Sequence, residues 1–276
     1  MARRSLLFSP GDDPGKLRTA PDTDADVVVF DLEDAVVPDA KPAARETVRN
    51  VLADVVPAGC EVCVRVNPVG AGAAEDIAVA LDGAAPDSVM LPKTAGAADV
   101  DRLGGLLADA GLDLPVLALA ESAAGILHAE AIAAAGTTDA LVFGAEDLAA
   151  DIGSTRTAEG AEVAVARQQV VLAARAAGVT PIDTHYPDYT DDAGLREEAV
   201  RAMELGYDGK LAVHPAQATV VNDVFTPAPE RVAWAERILS AHEAAEGGVF
   251  VVDGEMIDAP QVRQARRVLE RTDERN

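Results

Sequence analysis

The sequence predicts an α/β protein: a TIM (β/α)8 barrel followed by a C-terminal helical appendage. Eight short β-rich runs recur along the chain, most of them are continuously apolar, and Ala-rich helical patterns lie between them. Parallel strands that are covered on both faces give continuous apolar runs of this kind. Eight β/α units in about 215 residues is the pattern of a TIM barrel. A doubly wound sheet is the alternative, but no G-x-G-x-x-G follows an early strand.

The elements follow one another in the order that such a barrel requires. The predicted strands are residues 5–9, 27–31, 62–67, 88–91, 116–120, 140–144, 180–184 and 210–214. The clearest helical patterns between them cover residues 97–110, 123–135, 158–177 and 192–205. The glycines expected to stop these helices are Gly111, Gly136, Gly178 and Gly206.

The chain is expected to divide near residue 224. Residues 1–224 are the predicted barrel and catalytic domain. Pro227 and Pro229 then precede a helix predicted over residues 230–245, and a further helix ends the chain. We therefore interpret residues 225–276 as a C-terminal helical segment that serves as a lid or in oligomerisation.

The charge balance excludes some partners and suggests an environment. The chain has 47 acidic and 23 Lys or Arg residues, a net charge of −24, and only four of the basic residues are lysine. Such a surface repels phosphate, which argues against nucleic acid or an anionic membrane as the main partner. An acid-rich, lysine-poor and aromatic-poor composition is typical of proteins that stay soluble in high salt. We therefore expect a cytoplasmic protein of a halophile.

Targeting and redox signals are weak in this sequence. Arg3 and Arg4 resemble a twin-arginine signal, but Pro10 and Gly11 cut the following apolar run too short for export. No apolar stretch approaches the roughly 18 residues of a membrane span. The two cysteines, Cys60 and Cys63, are expected to be small buried thiols, because alternation along a strand sends their sulfurs to opposite faces.

Ionisable residues follow nearly every predicted strand. In a TIM barrel the chemistry lies at the C-terminal ends of the strands. Arg65, Lys93 and His214 carry the most weight, because their residue types are scarce in this chain. The strand-end groups are Asp31, Glu33, Asp34, Arg65, Lys93, Glu121, Glu146, Asp147, Asp183, His185 and His214.

Glu121 and Asp147 are candidate metal ligands. Glu121 directly follows a buried strand, where a carboxylate needs a partner, and Asp147 follows the next strand. Two carboxylates with waters and substrate oxygens are how Mg²⁺ is usually held. The alternative is that each carboxylate caps a helix or pairs with an arginine. Arg65 likewise has two interpretations, an internal ion pair with the acidic residues at 31–34 or a fork for a substrate carboxylate.

Ten segments, in chain order, resemble one known family. They are RSLLFSPG (4–11), DLEDAV (31–36, followed by Lys41 and Arg45), VRVN (64–67), MLPK (90–93), ESAAG (121–125), FGAEDL (143–148), GYDGK (206–210), HPAQ (214–217), FTP (225–227) and DGEMIDAP (253–260). On these segments the chain resembles the HpcH/HpaI aldolase and citrate lyase β-subunit family, in its CitE-like branch. The resemblance covers essentially the whole chain.

The resemblance implies a role for each matching position. It implies that Glu121 and Asp147 bind Mg²⁺, with Mn²⁺ as a substitute, and that Arg65 clamps the carboxylate of a 2-oxo acid. Arg4 and Lys16 fall where relatives bind the phosphates or nucleotide of coenzyme A. Asp258 resembles the residue that exchanges a proton with the acyl-CoA α-carbon, often from a neighbouring subunit. The two acidic residues that orient Arg65 and the metal waters would be Glu33 and Asp34.

The resemblance implies a Mg²⁺-dependent carbon–carbon lyase. Its substrate would be a malyl-, methylmalyl- or citramalyl-CoA type of 3-hydroxyacyl-CoA, cleaved reversibly into a 2-oxo acid and an acyl-CoA. The alternatives are a malyl-CoA thioesterase, a citryl-thioester lyase subunit that acts on an acyl-carrier protein, and an inactive CoA-binding protein. A homotrimer or larger homo-oligomer is expected if Asp258 acts in trans.

Overall fold

Eight parallel strands close into a barrel. The structure, a computed structural model, describes residues 2–54, 59–245 and 248–273. The strands are β1 Ser5–Pro10, β2 Val27–Asp31, β3 Glu61–Arg65, β4 Ser88–Leu91, β5 Val116–Ala120, β6 Thr138–Phe143, β7 Thr180–Asp183 and β8 Gly209–Ala212. Each strand pairs with the next along the chain, and β8 returns to pair with β1. The predicted TIM barrel is therefore confirmed.

Alternate residues of each strand fill the barrel interior. The period of two sends one set of side chains inward and the other set toward the surrounding helices. The inward set forms one apolar cluster of Leu6, Val27, Val29, Cys63, Met90, Leu117, Leu119, Ala140, Val142, Ile182 and Leu211, with Phe8 packed against it. The outward set is also buried, which explains the continuously apolar runs in the sequence.

Helices cover the outside of the barrel and end where the sequence provides caps. They are α1 Pro14–Thr19, α2 Lys41–Asp54, α3 Ala73–Ala80, α4 Ala97–Asp109, α5 Ala123–Leu127, α6 Ala129–Ala133, α7 Ala145–Asp151, α8 Ala164–Ala177, α9 Asp192–Leu205 and α10 Pro215–Phe225. Asp13 caps α1 by accepting hydrogen bonds from the Gly15 and Lys16 N–H groups. The predicted stops at Gly178 and Gly206 are confirmed, because both residues adopt left-handed C-caps.

Two predicted helices differ from the observed ones for tertiary reasons. The helix predicted over residues 123–135 is broken at His128, whose ring Nδ1 lies 2.9 Å from the Ala95 carbonyl oxygen. The helix predicted over residues 158–177 begins only at Ala164. Its first residues instead form a loop in which Thr157 donates hydrogen bonds to Glu162 from its N–H and its hydroxyl.

A second compact unit begins at Asp223, whereas Arg3–Asn222 form the barrel unit. It contains α11 Pro229–Ala244, the antiparallel strands β9 Phe250–Val252 and β10 Glu255–Ile257, and α12 Ala259–Asp273. The hairpin was not predicted. Its turn is Asp253-Gly254, both with positive φ, which is the two-residue turn that suits the twist of a hairpin. Ala235, Ile238, Ile257, Val262 and Ala265 form the core of this unit.

A charged network lies buried between the barrel strands and their outer helices. Both carboxylate oxygens of Asp183 accept hydrogen bonds from Arg167, at 2.8 and 2.7 Å, and Lys210 Nζ lies 2.6 Å from Asp183 Oδ2. Burial raises the pKa of the Asp183 carboxyl, but the neighbouring cations outweigh it and hold that pKa below its usual range. This network joins β7, β8 and α8.

The two cysteines are buried thiols, as the sequence predicts. Cys60 and Cys63 are free and buried, and burial raises the pKa of the Cys63 thiol to about 12, so that this thiol is unreactive. Across residues 2–54, 59–245 and 248–273, no helix is long and apolar enough to cross a membrane.

Candidate active site

The cavity at the C-terminal end of the barrel is built by strand alternation. Val29 and Leu119 belong to the interior cluster. Asp31 comes two residues after Val29, and Glu121 comes two residues after Leu119. Because side chains alternate along a strand with a period of two, Asp31 and Glu121 also face inward. The resulting cavity has a volume of about 370 Å³. It is lined by Phe8, Pro10, Asp31, Asp34, Ala35, Arg65, Leu119, Glu121, Gly144, Ala145, Glu146, Asp147, Thr184, His185, Leu211 and Val213. The structure therefore brings Arg65, Glu121, Asp147 and Asp34 together.

Arg65 is held rigidly at the wall of this cavity. Its Nε and Nη2 donate to the two carboxylate oxygens of Asp31, at 2.7 and 2.5 Å, and its Nη1 lies 3.1 Å from Glu33 Oε2. The guanidinium also stacks 4.8 Å from the centre of the Phe8 ring. Burial disfavours the charged guanidinium, but these carboxylates outweigh it and raise the pKa of Arg65. The predicted internal ion pair is present, and the predicted role as a clamp is compatible with it.

Glu121 is a buried carboxylate with an unusual titration. Its side chain is buried at the end of β5, and its Oε1 accepts a 2.7 Å hydrogen bond from the backbone N–H of Lys93. Burial and the nearby negative charge of Asp147 raise the pKa of Glu121 to about 8. An ionised Glu121 therefore needs a cation close by, which is the condition that a metal ligand creates.

The backbone beside Glu121 leaves room for its side chain. A Cβ placed on Gly144 would lie 2.5 Å from Glu121 Cβ and 2.7 Å from Glu121 Oε2. Contacts of that length are not tolerated by close-packed atoms, so that only glycine fits at this position. Gly144 is thus part of the cradle that holds the Glu121 carboxylate.

Asp147 reaches the same cavity from the first turn of α7. The N-terminus of this helix is held by Thr184, whose hydroxyl oxygen accepts a 3.2 Å hydrogen bond from the Ala145 N–H. Glu121 and Asp147 together offer hard carboxylate oxygens of the type that Mg²⁺ prefers. Within the described part of the chain there is no group of three or more His, Cys, Asp and Glu side chains arranged to hold a metal. A two-carboxylate set suits Mg²⁺, which usually keeps several waters or substrate oxygens as its other ligands.

Glu33 and Asp34 link the arginine to a lysine. Glu33 is buried, and its Oε2 faces Arg65. The same oxygen accepts a 3.1 Å hydrogen bond from the Asp34 N–H. Lys93 Nζ pairs with Glu33 Oε1 and lies 3.3 Å from Asp34 Oδ2. Lys93 is a scarce residue type at a predicted strand end, but it is not among the predicted site residues. Its scarcity was the signal that could have placed it there.

Three further residues at the cavity were missed as site residues. Thr184 and His185 follow β7, and burial lowers the pKa of the His185 imidazole, which keeps the ring neutral near pH 7. Glu146 lines the cavity and is held by Arg156, whose Nε lies 3.0 Å from Glu146 Oε1. Their common signal was their position directly after strands six and seven.

Besides Glu33, three predicted residues lie outside this cavity lining. Arg4 precedes β1, about 20 Å along the strand from Pro10 at the cavity end, and its guanidinium pairs with Asp26 at 2.7 Å. Lys16 is exposed on α1 and lies 3.4 Å from Asp13. Asp258 is exposed in the second unit, between β10 and α12, where its N–H donates to Gln261 at 3.1 Å. Their predicted roles stay predictions.

Comparison with known proteins identifies one family. The family described as HpcH/HpaI aldolase/citrate lyase matches residues 4–215. A mitochondrial citramalyl-CoA lyase of Rattus norvegicus is 35% identical over 287 residues, which cover 97% of this chain and 85% of that protein. A (3S)-malyl-CoA thioesterase of Cereibacter sphaeroides is 36% identical over 269 residues, which cover 96% and 93%.

A solved structure shares the fold over nearly its whole length. The CitE protein of Mycobacterium tuberculosis, in complex with magnesium, acetoacetate and coenzyme A, superposes with a TM-score of 0.83 at 38% identity. The match covers 98% of each chain.

Proposed function

The chain belongs to the HpcH/HpaI aldolase and citrate lyase family and is a Mg²⁺-dependent lyase of CoA thioesters, and we propose that it cleaves a 3-hydroxyacyl-CoA. The proposed substrate carries a carboxylate on the hydroxyl-bearing carbon, as citramalyl-CoA and malyl-CoA do. One observation carries this proposal: Glu121, a buried carboxylate whose ionised form needs a cation, shares one cavity with a fixed arginine, Arg65. That pair suits a ligand in which an anionic group adjoins a metal-binding oxygen.

Glu121 and Asp147 would hold the metal. A Mg²⁺ ion bound there supplies a Lewis acid for the hydroxyl and carboxylate oxygens of the substrate. Arg65 would orient the substrate carboxylate, and its contacts with Asp31 and Glu33 hold the guanidinium in place before the substrate arrives. Those two carboxylates also raise the pKa of Arg65, which favours the charged form of its guanidinium.

The proposed reaction breaks one carbon–carbon bond and moves one proton. The hydroxyl group of the substrate loses its proton to water, its carbon becomes the carbonyl carbon of a 2-oxo acid, and the electron pair of the broken carbon–carbon bond goes to the α-carbon of the thioester. The net change is the transfer of one proton from the hydroxyl oxygen to that α-carbon. Asp258 would donate a proton to that carbon, and it would remove the same proton in the condensation direction. Lys16 and Arg4 would bind the phosphates of coenzyme A, as the family resemblance implies.

An assay of products against a panel of thioesters tests this proposal. Purified protein is incubated with Mg²⁺ and malyl-, methylmalyl-, citramalyl- or citryl-CoA, and the 2-oxo acid, the acyl-CoA and the free thiol are each quantified. We expect one of the first three to give equal amounts of 2-oxo acid and acyl-CoA. Release of free thiol without 2-oxo acid from every member of the panel would refute the lyase.

A hydrolase is the second candidate, and the likeness to a malyl-CoA thioesterase favours it. In that reaction the same cavity would direct water at the thioester carbonyl and release a hydroxy acid and CoA. The two reactions consume the same substrate and differ only in their products. The ratio of free thiol to 2-oxo acid in the assay above therefore decides between them.

We also propose that the segment from residue 225 acts as a lid and in oligomerisation, with Asp258 working on the barrel of a neighbouring subunit. Its support is the exposure of Asp258 and the family resemblance. Mixing two inactive variants, Asp258→Asn and Glu121→Gln, tests it. If Asp258 acts in trans, mixed oligomers regain part of the activity, and sedimentation gives a trimer or a larger assembly. No recovery after subunit exchange would contradict this arrangement.

The acidic surface supports a further proposal, that the protein works in the cytoplasm of a salt-rich cell. A net charge of −24 destabilises a folded chain by self-repulsion, and salt screens that repulsion. We therefore expect the melting temperature to rise steeply from low salt to molar KCl. A melting temperature that is independent of KCl would refute this proposal.

A further inference from the structure

Lys93 adopts a backbone conformation that side-chain-bearing residues rarely take. It follows β4 at the cavity end of the barrel and has a φ of +51°. Among the non-glycine residues of ranges 2–54, 59–245 and 248–273, only Lys93 and Asp253 have a positive φ. This conformation is strained for a residue with a Cβ, so that the native contacts of Lys93 must hold it in place.

The first of those contacts is made by the backbone. In this conformation the Lys93 N–H points at Glu121 Oε1, 2.7 Å away. Within the described part of the chain, this is the one hydrogen bond that the Glu121 carboxylate accepts. A buried carboxylate that accepts one such bond from the protein depends on it for its orientation.

The second contact is made by the side chain. The Lys93 ammonium pairs with Glu33 Oε1 and lies 3.3 Å from Asp34. The other oxygen of Glu33 faces Arg65 Nη1 at 3.1 Å. The ammonium thus acts on Arg65 through Glu33.

We propose that Lys93 is a positioning residue with two separable roles: its backbone N–H orients Glu121 for the metal, and its ammonium orients Arg65 for the oxo acid. The inference rests on the proposed function for the identity of the two ligands. Binding of Mg²⁺ and pyruvate by the wild-type protein is the separate test of that function. Only after the wild type has bound both do the variants below test Lys93.

Two substitutions separate the backbone from the ammonium. Glycine adopts positive φ at no steric cost, whereas valine, a β-branched residue, does not adopt it without strain. Lys93→Gly and Lys93→Val both remove the ammonium, so that a difference in Mg²⁺ affinity between them does not come from its charge. Titration calorimetry should give a Mg²⁺ dissociation constant within about threefold of wild type for the glycine variant and at least about tenfold higher for the valine variant.

The ammonium is tested by pyruvate binding at saturating Mg²⁺. Both variants lack the cation next to Glu33 and Asp34, so that both should bind pyruvate about fivefold or more weakly than wild type. A merely structural role would instead lower the affinities for both ligands in step with the melting temperature. The expected result for Lys93→Gly is a split, with Mg²⁺ binding kept and pyruvate binding weakened.

Controls keep the inference falsifiable. Arg102→Gln removes one exposed cation from α4 of the same unit and should leave both affinities unchanged. If Lys93→Val does not fold, the pair Lys93→Asn and Lys93→Thr gives the same comparison, because asparagine tolerates positive φ and threonine is β-branched. Equal Mg²⁺ affinities within a folded pair would overturn the backbone role. Wild-type pyruvate affinity in Lys93→Gly would overturn the role of the ammonium.

Discussion

Nε and Nη2 of Arg65 donate to the two oxygens of Asp31 at 2.7 and 2.5 Å, in a bidentate pair at the C-terminal end of neighbouring strands β2 and β3. The pairing follows from register, because Asp31 and Arg65 are opposite each other across the two strands. Both side chains face the barrel interior. Asp31 uses Nε and Nη2, and Glu33 faces Nη1. The N–H groups of Arg65 that these carboxylates do not use are left for a ligand in the cavity.

Arg65→Lys should weaken the binding of a 2-oxo acid. An ammonium cannot keep both oxygens of Asp31 and also contact Glu33 and a substrate carboxylate. We expect the dissociation constant for pyruvate to rise at least about tenfold. This rise corresponds to the loss of one charge-assisted hydrogen bond, which contributes about 1.5–3 kcal/mol. Calorimetry at saturating Mg²⁺ measures it. Arg175→Lys, which alters the ion pair of Arg175 with Asp208, is the matched control and should bind pyruvate as wild type does. An unchanged pyruvate affinity in Arg65→Lys would show that Arg65 does not bind the substrate carboxylate.

Mg²⁺ binding should depend on pH through Glu121. The metal requires the ionised carboxylate, whereas burial and Asp147 raise the pKa of Glu121 to about 8. Below that pH a proton must leave before the metal binds, so that the Mg²⁺ affinity should rise about tenfold per pH unit up to about pH 8 and then level off. Calorimetry in buffers with different ionisation enthalpies should show the release of about one proton at pH 7. An affinity that is flat between pH 6 and pH 8 would contradict the raised pKa.

The raised pKa of Glu121 also makes the stability of the metal-free protein depend on pH. The folded-state pKa of Glu121 lies above its unfolded value of 4.5, so folding favours the protonated form. The resulting contribution is present below the unfolded pKa and is lost as the pH rises toward about 8. Added Mg²⁺ should restore stability at the alkaline end of this range, because it binds only the folded form. Melting curves with and without Mg²⁺ at pH 6 and pH 8.5 check the sign of the effect.

Gly144→Ala should damage the metal site while leaving the barrel folded. The new methyl group would lie 2.5 Å from Glu121 Cβ, and either this side chain or the backbone at the start of α7 must move. We expect the Mg²⁺ affinity to fall about 10- to 100-fold, as for other residues that support a ligand. Gly105→Ala in α4 meets no atom within 4 Å and is the control, with a wild-type affinity expected. Wild-type Mg²⁺ binding by Gly144→Ala would show that Glu121 is not a ligand.

Asp183→Asn should be strongly destabilising without any direct effect on ligands. It leaves Arg167 and Lys210, both buried, without their shared carboxylate. Removing one member of a buried ion network costs about 3–5 kcal/mol in the free energy of unfolding. Urea denaturation measures this loss. Asp139→Asn, which removes an exposed carboxylate that pairs with Arg3, should cost less than about 1 kcal/mol. Equal losses in the two variants would refute the importance of burial here.

The barrel and the main cavity residues could be predicted because both depend on local patterns. Strands that are buried on both faces are continuously apolar, and the first polar residue after each strand must lie at the end of the barrel. Glu121 follows five buried residues of β5 directly, so that its position was fixed by the strand alone. Arg65 was predicted in the same way, together with its acidic neighbours.

Other features depend on contacts between distant segments, which no local pattern contains. The helical pattern over residues 158–177 competes with hydrogen bonds from Thr157 to Glu162, and the tertiary loop prevails. The break at His128 depends on the Ala95 carbonyl group of another β/α unit. Lys93 combines a left-handed backbone with a hydrogen bond from its N–H to Glu121, which lies 28 residues away in the sequence. The role of Lys93 was therefore visible only in the structure.

The most direct test is the stoichiometry of the products formed from citramalyl-CoA and malyl-CoA with Mg²⁺. It is measured for wild type, for Glu121→Gln and for the control Glu130→Gln, which alters an exposed residue. We expect wild type and Glu130→Gln to form one 2-oxo acid and one acyl-CoA for each thioester consumed, and Glu121→Gln to lose turnover at Mg²⁺ concentrations that saturate wild type. Free CoA thiol in place of the 2-oxo acid, or full turnover by Glu121→Gln, would contradict it.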